Sequence, residues 1–186
     1  MPDATALKVA IQLHHMPTNV RMVRDGPLPS GLPLLLQVAA DDPAALQSAT
    51  ALTERPADEL RQAARFFIEQ ILWHPGADSF RILGATPSTS ASDLKRNMSS
   101  LMSWLHPDVD HGDGRAVFAV RVTNAWNDIK TPERRQHYAA DLARKVEHDA
   151  AKKRRHKRRE AQRRQRLMSA APQGFLKRFL KRLFKV

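Results

Sequence analysis

The residues of this 186-residue chain best suited to chemistry crowd one short stretch, where His106-Pro107-Asp108 is followed by Asp110, His111 and Asp113. Carboxylates and imidazoles at that density invite a metal reading, but the spacing fails. A calcium loop needs an oxygen ligand where Gly112 stands and a glutamate where Ala119 stands, and no zinc pattern fits. No metal and no other cofactor is expected. Cysteine is absent, which excludes thiol catalysis, thiolate metal sites and disulfides. The sequence also lacks a glycine-rich phosphate loop, a nucleophile with a base beside it, and carboxylates paired for acid–base work, so an enzyme is not expected. What remains is recognition. Pro107 stiffens the chain and has no amide to donate, so Asp108 would be presented at little ordering cost, and a carboxylate so presented pairs directionally with a guanidinium. The bland alternative is that His106-Pro107 only stops a helix and Asp108 is a solvated loop residue.

Two helices must hold that corner in place. Ser90-Ala91-Ser92-Asp93 is a capping box, and behind it Leu94, Met98, Leu101 and Leu105 step by 4, 3 and 4. After a loop with Pro107, Gly112 and Gly114, the residues Phe118, Val122, Ala125 and Ile129 repeat the same steps. Two such stripes joined by about ten residues bury each other as an antiparallel hairpin with the loop at its tip. Asp78 to Leu83 forms a short turn closed by Gly84, and Thr131-Pro132 opens a further helix that could run to about Met168. Upstream, Asp42 can cap a short helix from Pro43. A stronger one runs from Pro56 to Trp73, with Leu60, Ala63, Ala64, Phe67, Ile68, Ile71 and Leu72 on one face. No strand-like alternation is visible, so the expected fold class is all-α.

The segment from Asp78 to about Asp141 resembles the J domain of DnaJ-type co-chaperones. The resemblance rests on Phe80-Arg81-Ile82-Leu83-Gly84, Leu94 twelve residues before the histidine, His106-Pro107-Asp108, Phe118 with Ala125-Trp126, and Pro132-Glu133-Arg134-Arg135-Gln136-His137-Tyr138. It implies a fold of an antiparallel helical hairpin, here with an N-terminal helical extension and a long basic C-terminal helix. It also implies a protein that brings no chemistry of its own. Such proteins dock on an ATP-bound DnaK-type chaperone, where the loop aspartate engages an arginine and the neighbouring helix lies on acidic surface. Carried onto this sequence, the chaperone-binding residues are His106, Pro107, Asp108, Lys95 and Arg96. Met98, Ser99 and Ser100 stand where the family commonly places an aromatic and further basic residues, so docking is expected to be weaker or more selective. A J-like module that has lost ATPase stimulation and serves as a membrane or nucleic-acid scaffold is the rival reading.

The net charge of +12 belongs to one end of the chain. Lys152 to Val186 holds fifteen Lys or Arg and one acidic residue, leaving 16 basic and 18 acidic residues before it. Within that end, Phe175, Leu176, Phe179, Leu180, Leu183 and Phe184 share half of a helical wheel, and Lys177, Arg178, Lys181, Arg182 and Lys185 share the other. That separation suits the surface of an anionic membrane, with packing on the body as an alternative. Nucleic acid is the weaker alternative partner and would prefer the run Lys152 to Arg166. The longest apolar stretch, Leu32 to Ala40, contains Pro33 and is too short to span a bilayer. The start Met1-Pro2-Asp3 lacks the basic opening of an export signal, so a cytoplasmic protein is expected, peripheral on the inner membrane face if the last helix tethers it. The expected organisation is a loosely ordered region 1–55 with one short helix, an amphipathic helix 56–76, a J domain 77–142, a basic helical spacer 143–170 and a basic amphipathic helix 171–186.

Overall fold

A computed structural model describes residues 2–106 and 115–169, with side chains in the second stretch described over 116–165. Among the described residues the chain is helical and contains no strand. The elements are α1 (Thr5–His15), a 3-10 turn (Pro17–Asn19), α2 (Val20–Asp25), α3 (Leu32–Ala39), α4 (Pro43–Thr53), α5 (Ala57–Phe67) continued by a π-helical turn (Ile68–Leu72), α6 (Ser79–Ile82), α7 (Ala91–Trp104), α8 (Arg115–Ile129) and α9 (Pro132–Ser169). They form two compact units, residues 1–139 and the chain from 140 onward.

The first unit is built round α3. Leu32, Leu34, Leu35, Leu36, Val38 and Ala39 are all buried there, a helix apolar on nearly every side because α1, α4, α5 and α7 all pack on it. The run that comes closest in the sequence to a membrane stretch is thus a core helix. Fully burying a leucine such as Leu35 contributes about 2–3 kcal/mol. The α5 stripe is buried as its spacing requires, from Leu60 through Phe67 to Leu72, and α1 lies along it through Leu7, Ala10 and Leu13. The last turn of that run widens into a π-helix instead of continuing as α.

The order found before residue 40 departs from the loose order expected over 1–55, where Pro2, Pro17, Pro27, Pro29, Gly26 and Gly31 break any sustained period. Three helices lie there, against one short helix expected for the whole of 1–55. Turn residues supply the reason. The Asp3 carboxylate accepts the Thr5 N–H at 2.8 Å, and the Ala6 N–H donates to the Ser30 carbonyl at 2.8 Å, which seats the start of α1 on the loop ahead of α3. Hydrogen bonds from Ser30 and Thr5 pull the Asp3 carboxyl down to about 2. Gly31, at φ +81°, is required at the crossing, because a Cβ there would stand 2.3 Å from the Asp3 carbonyl oxygen. Periodicity over so short a stretch could not reveal a contact made across thirty residues.

The caps expected at Asp42 and Ser90 form, although the Asp93 carboxylate accepts the Ser90 hydroxyl where a capping box would give it a backbone amide. Asp42 accepts the Ala45 N–H at 2.8 Å and Pro43 opens α4, while Ser90 accepts the Asp93 N–H at 3.1 Å and donates to the Asp93 carboxylate at 2.7 Å. In the second unit the described part of α9 is solvent-exposed on every side apart from the half-buried Leu142. Local pairs decorate it, including Arg144 with Asp141 and His156 with Glu160 at 3.4 Å. No described helix is long and apolar enough to cross a membrane.

Candidate functional site

The elements from α6 to the first turns of α9 are tied together at their two ends. Phe80 of α6 meets Tyr138 of α9 edge-on at 5.6 Å, and the Tyr138 hydroxyl accepts the Ser79 N–H at 2.9 Å. The Ser79 hydroxyl donates to Asp128 of α8 at 2.6 Å, and Arg135 donates to the Thr89 carbonyl at 3.1 Å ahead of α7. Residues nearly sixty positions apart in sequence thus close one unit around α7 and α8, which pack on each other.

Helix α7 divides cleanly. Leu94, Asn97, Leu101 and Trp104 are buried, and Leu105 after the helix is buried with them. Lys95, Arg96, Ser99, Ser103 and, just past the helix end, His106 are exposed, spaced so that they form one strip. Arg96 pairs with Asp93 of the first turn at 3.1 Å, and the His106 N–H donates to the Ser103 carbonyl at 3.4 Å. Three of the five expected docking residues are therefore on the described surface. Pro107 and Asp108 lie outside the described residues. So do Phe175, Leu176, Lys177, Arg178, Phe179, Leu180, Lys181, Arg182, Leu183, Phe184 and Lys185, the amphipathic set of the tail. Among the described residues no group of His, Asp and Glu could hold a metal ion.

The buried side of α7 differs in detail from the expected stripe: Met98 is half-buried, and Asn97 and Trp104 take inward positions. Asn97 belongs there because its amide donates to the carbonyls of Leu83 and Gly84, each at 3.0 Å, holding the turn after α6. Gly84 needs its φ of +59° in that turn. Trp104 belongs there because of a residue the spacing argument left out. Trp73, after the π-helical turn, stacks on Trp104 at 5.1 Å and on Phe118 of α8 at 4.7 Å, so one indole touches both helices. Arg121 of α8 then donates to the carbonyls of Trp73 at 2.6 Å and His74 at 3.1 Å, a cation against carbonyls at a helix end. The His74 imidazole accepts the Gly76 N–H at Nδ1, 3.1 Å away. Burial, with Arg81, Arg24 and Arg121 nearby, holds its pKa below the usual histidine value. An aromatic ending an amphipathic helix was the available signal for Trp73; nothing in the sequence marked Arg121.

A short helix, two packed helices and a fourth that returns to the first, with a basic strip on the second, is the arrangement expected of a J domain. Two curated relatives match part of the chain. One is DnaJ homolog subfamily B member 14 from Xenopus laevis, 30% identical over 59 residues, covering 32% of this chain and 16% of that protein. The other is DnaJ homolog subfamily C member 24 from Bos taurus, 34% identical over 71 residues, covering 34% of this chain and 48% of that protein. The chain thus spans less than half the length of either, and over that segment it has a J-domain match. No family model and no solved structure matches it.

Proposed function

We propose that the chain is a J-domain co-chaperone that stimulates ATP hydrolysis by a DnaK-type chaperone. The observation carrying this reading is the exposed strip Lys95, Arg96, Ser99, Ser103, His106 on a helix whose other side is locked by Asn97, Leu101 and Trp104. A rigid basic strip leading to His106-Pro107-Asp108 suits an acidic partner surface with an arginine beyond it, and association between oppositely charged patches is steered by charge. The chain itself supplies no reacting group in this reading. The segment 171–186 is proposed to hold the protein on an anionic membrane surface, on the strength of the basic and apolar halves that its sequence would separate on a helical wheel.

The deciding measurement is the steady-state ATPase rate of a DnaK-type chaperone with added protein. Wild type should raise it. Asp108→Asn should abolish the rise at unchanged helical content, and Lys95→Ala with Arg96→Ala should demand more protein for the same rise. An ATPase rate that wild type leaves unchanged would sink the co-chaperone reading and favour the scaffold, which Met98, Ser99 and Ser100 support by standing where the family commonly places an aromatic and further basic residues.

A further inference from the structure

The run from Lys152 to Arg164 carries nine Lys or Arg against one carboxylate, Glu160, and every residue of it is exposed. At 100° per residue these cations leave no side of the helix neutral: Lys152 and Arg163 share one side, Lys153, Lys157 and Arg164 a second, Arg154 and Arg158 a third, and Arg155 and Arg159 a fourth. The one apolar residue in the run is Ala161.

That angular spread selects a partner. A planar anionic surface reaches one side of a helix and asks for apolar residues on the side that sinks into it, which this run does not have. A duplex groove encloses a helix between two phosphate rows and neutralises opposite sides at once. The major groove of B-form DNA is wide enough to admit an α-helix, whereas that of A-form RNA is deep and narrow. Length and charge match as well. The run is about 18 Å long at the helical rise, a distance over which duplex DNA carries about ten phosphates. Lys153 and Lys157, Arg154 and Arg158, Arg155 and Arg159, and Arg159 and Arg163 are like-charged neighbours four residues apart, so the free helix bears a repulsion that intervening phosphates would remove.

We infer that residues 152–164 of α9 form a sequence-independent binding helix for the major groove of duplex DNA, separate from the α7 strip and from the amphipathic tail. No base-reading side chain is required, because Lys and Arg against phosphate fix position and affinity without reading sequence.

The test is fluorescence anisotropy of the full chain with a labelled DNA duplex of about 20 base pairs, titrated at several salt concentrations. Wild type should bind with log Kd rising against log salt at a slope of about 5 or more, equivalent to about six neutralised phosphates. Replacing Arg154, Arg155, Arg158 and Arg159 by Gln should weaken binding at least about tenfold and lower the slope by about 3 to 4. Glutamine sustains a helix, and circular dichroism checks that it has. Replacing Lys177, Arg178, Lys181 and Arg182 by Gln should leave duplex affinity within about twofold. Duplex RNA of the same sequence should bind more weakly. The inference is overturned by absent duplex binding, by a greater loss from the tail variant than from the α9 variant, or by RNA binding as tight as DNA. It is equally overturned if the α9 variant loses phosphatidylcholine–phosphatidylserine vesicles and keeps the duplex.

Discussion

Helix α7 and the part of α9 after residue 140 are both basic on their surfaces, yet they are helices for different reasons. In α7 the buried side does the holding: Leu94, Asn97, Leu101 and Trp104 each meet another element, and the cations at 95 and 96 are oriented by what lies behind them. In α9 beyond 140 nearly nothing lies behind, and the helix rests on the high propensity of Ala, Arg, Lys, Gln and Glu and on a few local pairs. The first arrangement aims a small charge at one place. The second spreads a large charge evenly, which suits a partner that has phosphates on all sides.

The comparison breaks most sharply at Trp73. Trp73→Ala removes an indole only 3% exposed and with it the stacks on Trp104 and Phe118, so a loss of about 3–5 kcal/mol in urea unfolding is expected. Arg155→Ala in the exposed run should change stability by less than about 0.5 kcal/mol. A Trp73→Ala loss no larger than that of Arg155→Ala would mean that α7 does not depend on the elements before it. A smaller effect is expected at Asn97. Asn97→Leu keeps the volume but strips two buried carbonyls of their donor, costing about 1–3 kcal/mol in the same assay.

The comparison also explains what could be read directly from the sequence. Helices defined by their own residues were legible: the Asp42 and Ser90 caps, the α5 stripe and the uninterrupted course of α9 all follow from local spacing. The order of α1 to α3 was not, because it comes from Ser30, Gly31 and Asp3 meeting across the fold, and because α3, apolar on nearly every side, has no period to detect. The exposed strip was legible through Lys95, Arg96 and His106, whose exposure follows from the capped helix. What locks that strip was not, since Trp73, Asn97 and Arg121 act on distant backbone or rings, and a polar asparagine in a stripe reads as a surface residue until its two carbonyls are found.

The same junction should respond to acid, with the smallest effect of the set. In the folded chain His74 is neutral by preference, since burial and then Arg81, Arg24 and Arg121 disfavour its cation, and its Nδ1 must stay unprotonated to accept the Gly76 N–H. Once unfolded, the imidazole regains its ordinary value near 6.5. Below that value the unfolded chain therefore binds more protons than the folded one, so stability is fully present above it and falls as the pH drops toward the lowered folded value. Urea midpoints measured at about pH 7.5 and about pH 5.5 should show a decrease on acidification. In His74→Gln, which removes the titrating group, the decrease should shrink. An equal acid response in wild type and variant would assign it to other groups and leave Arg121 bonded to a junction indifferent to pH.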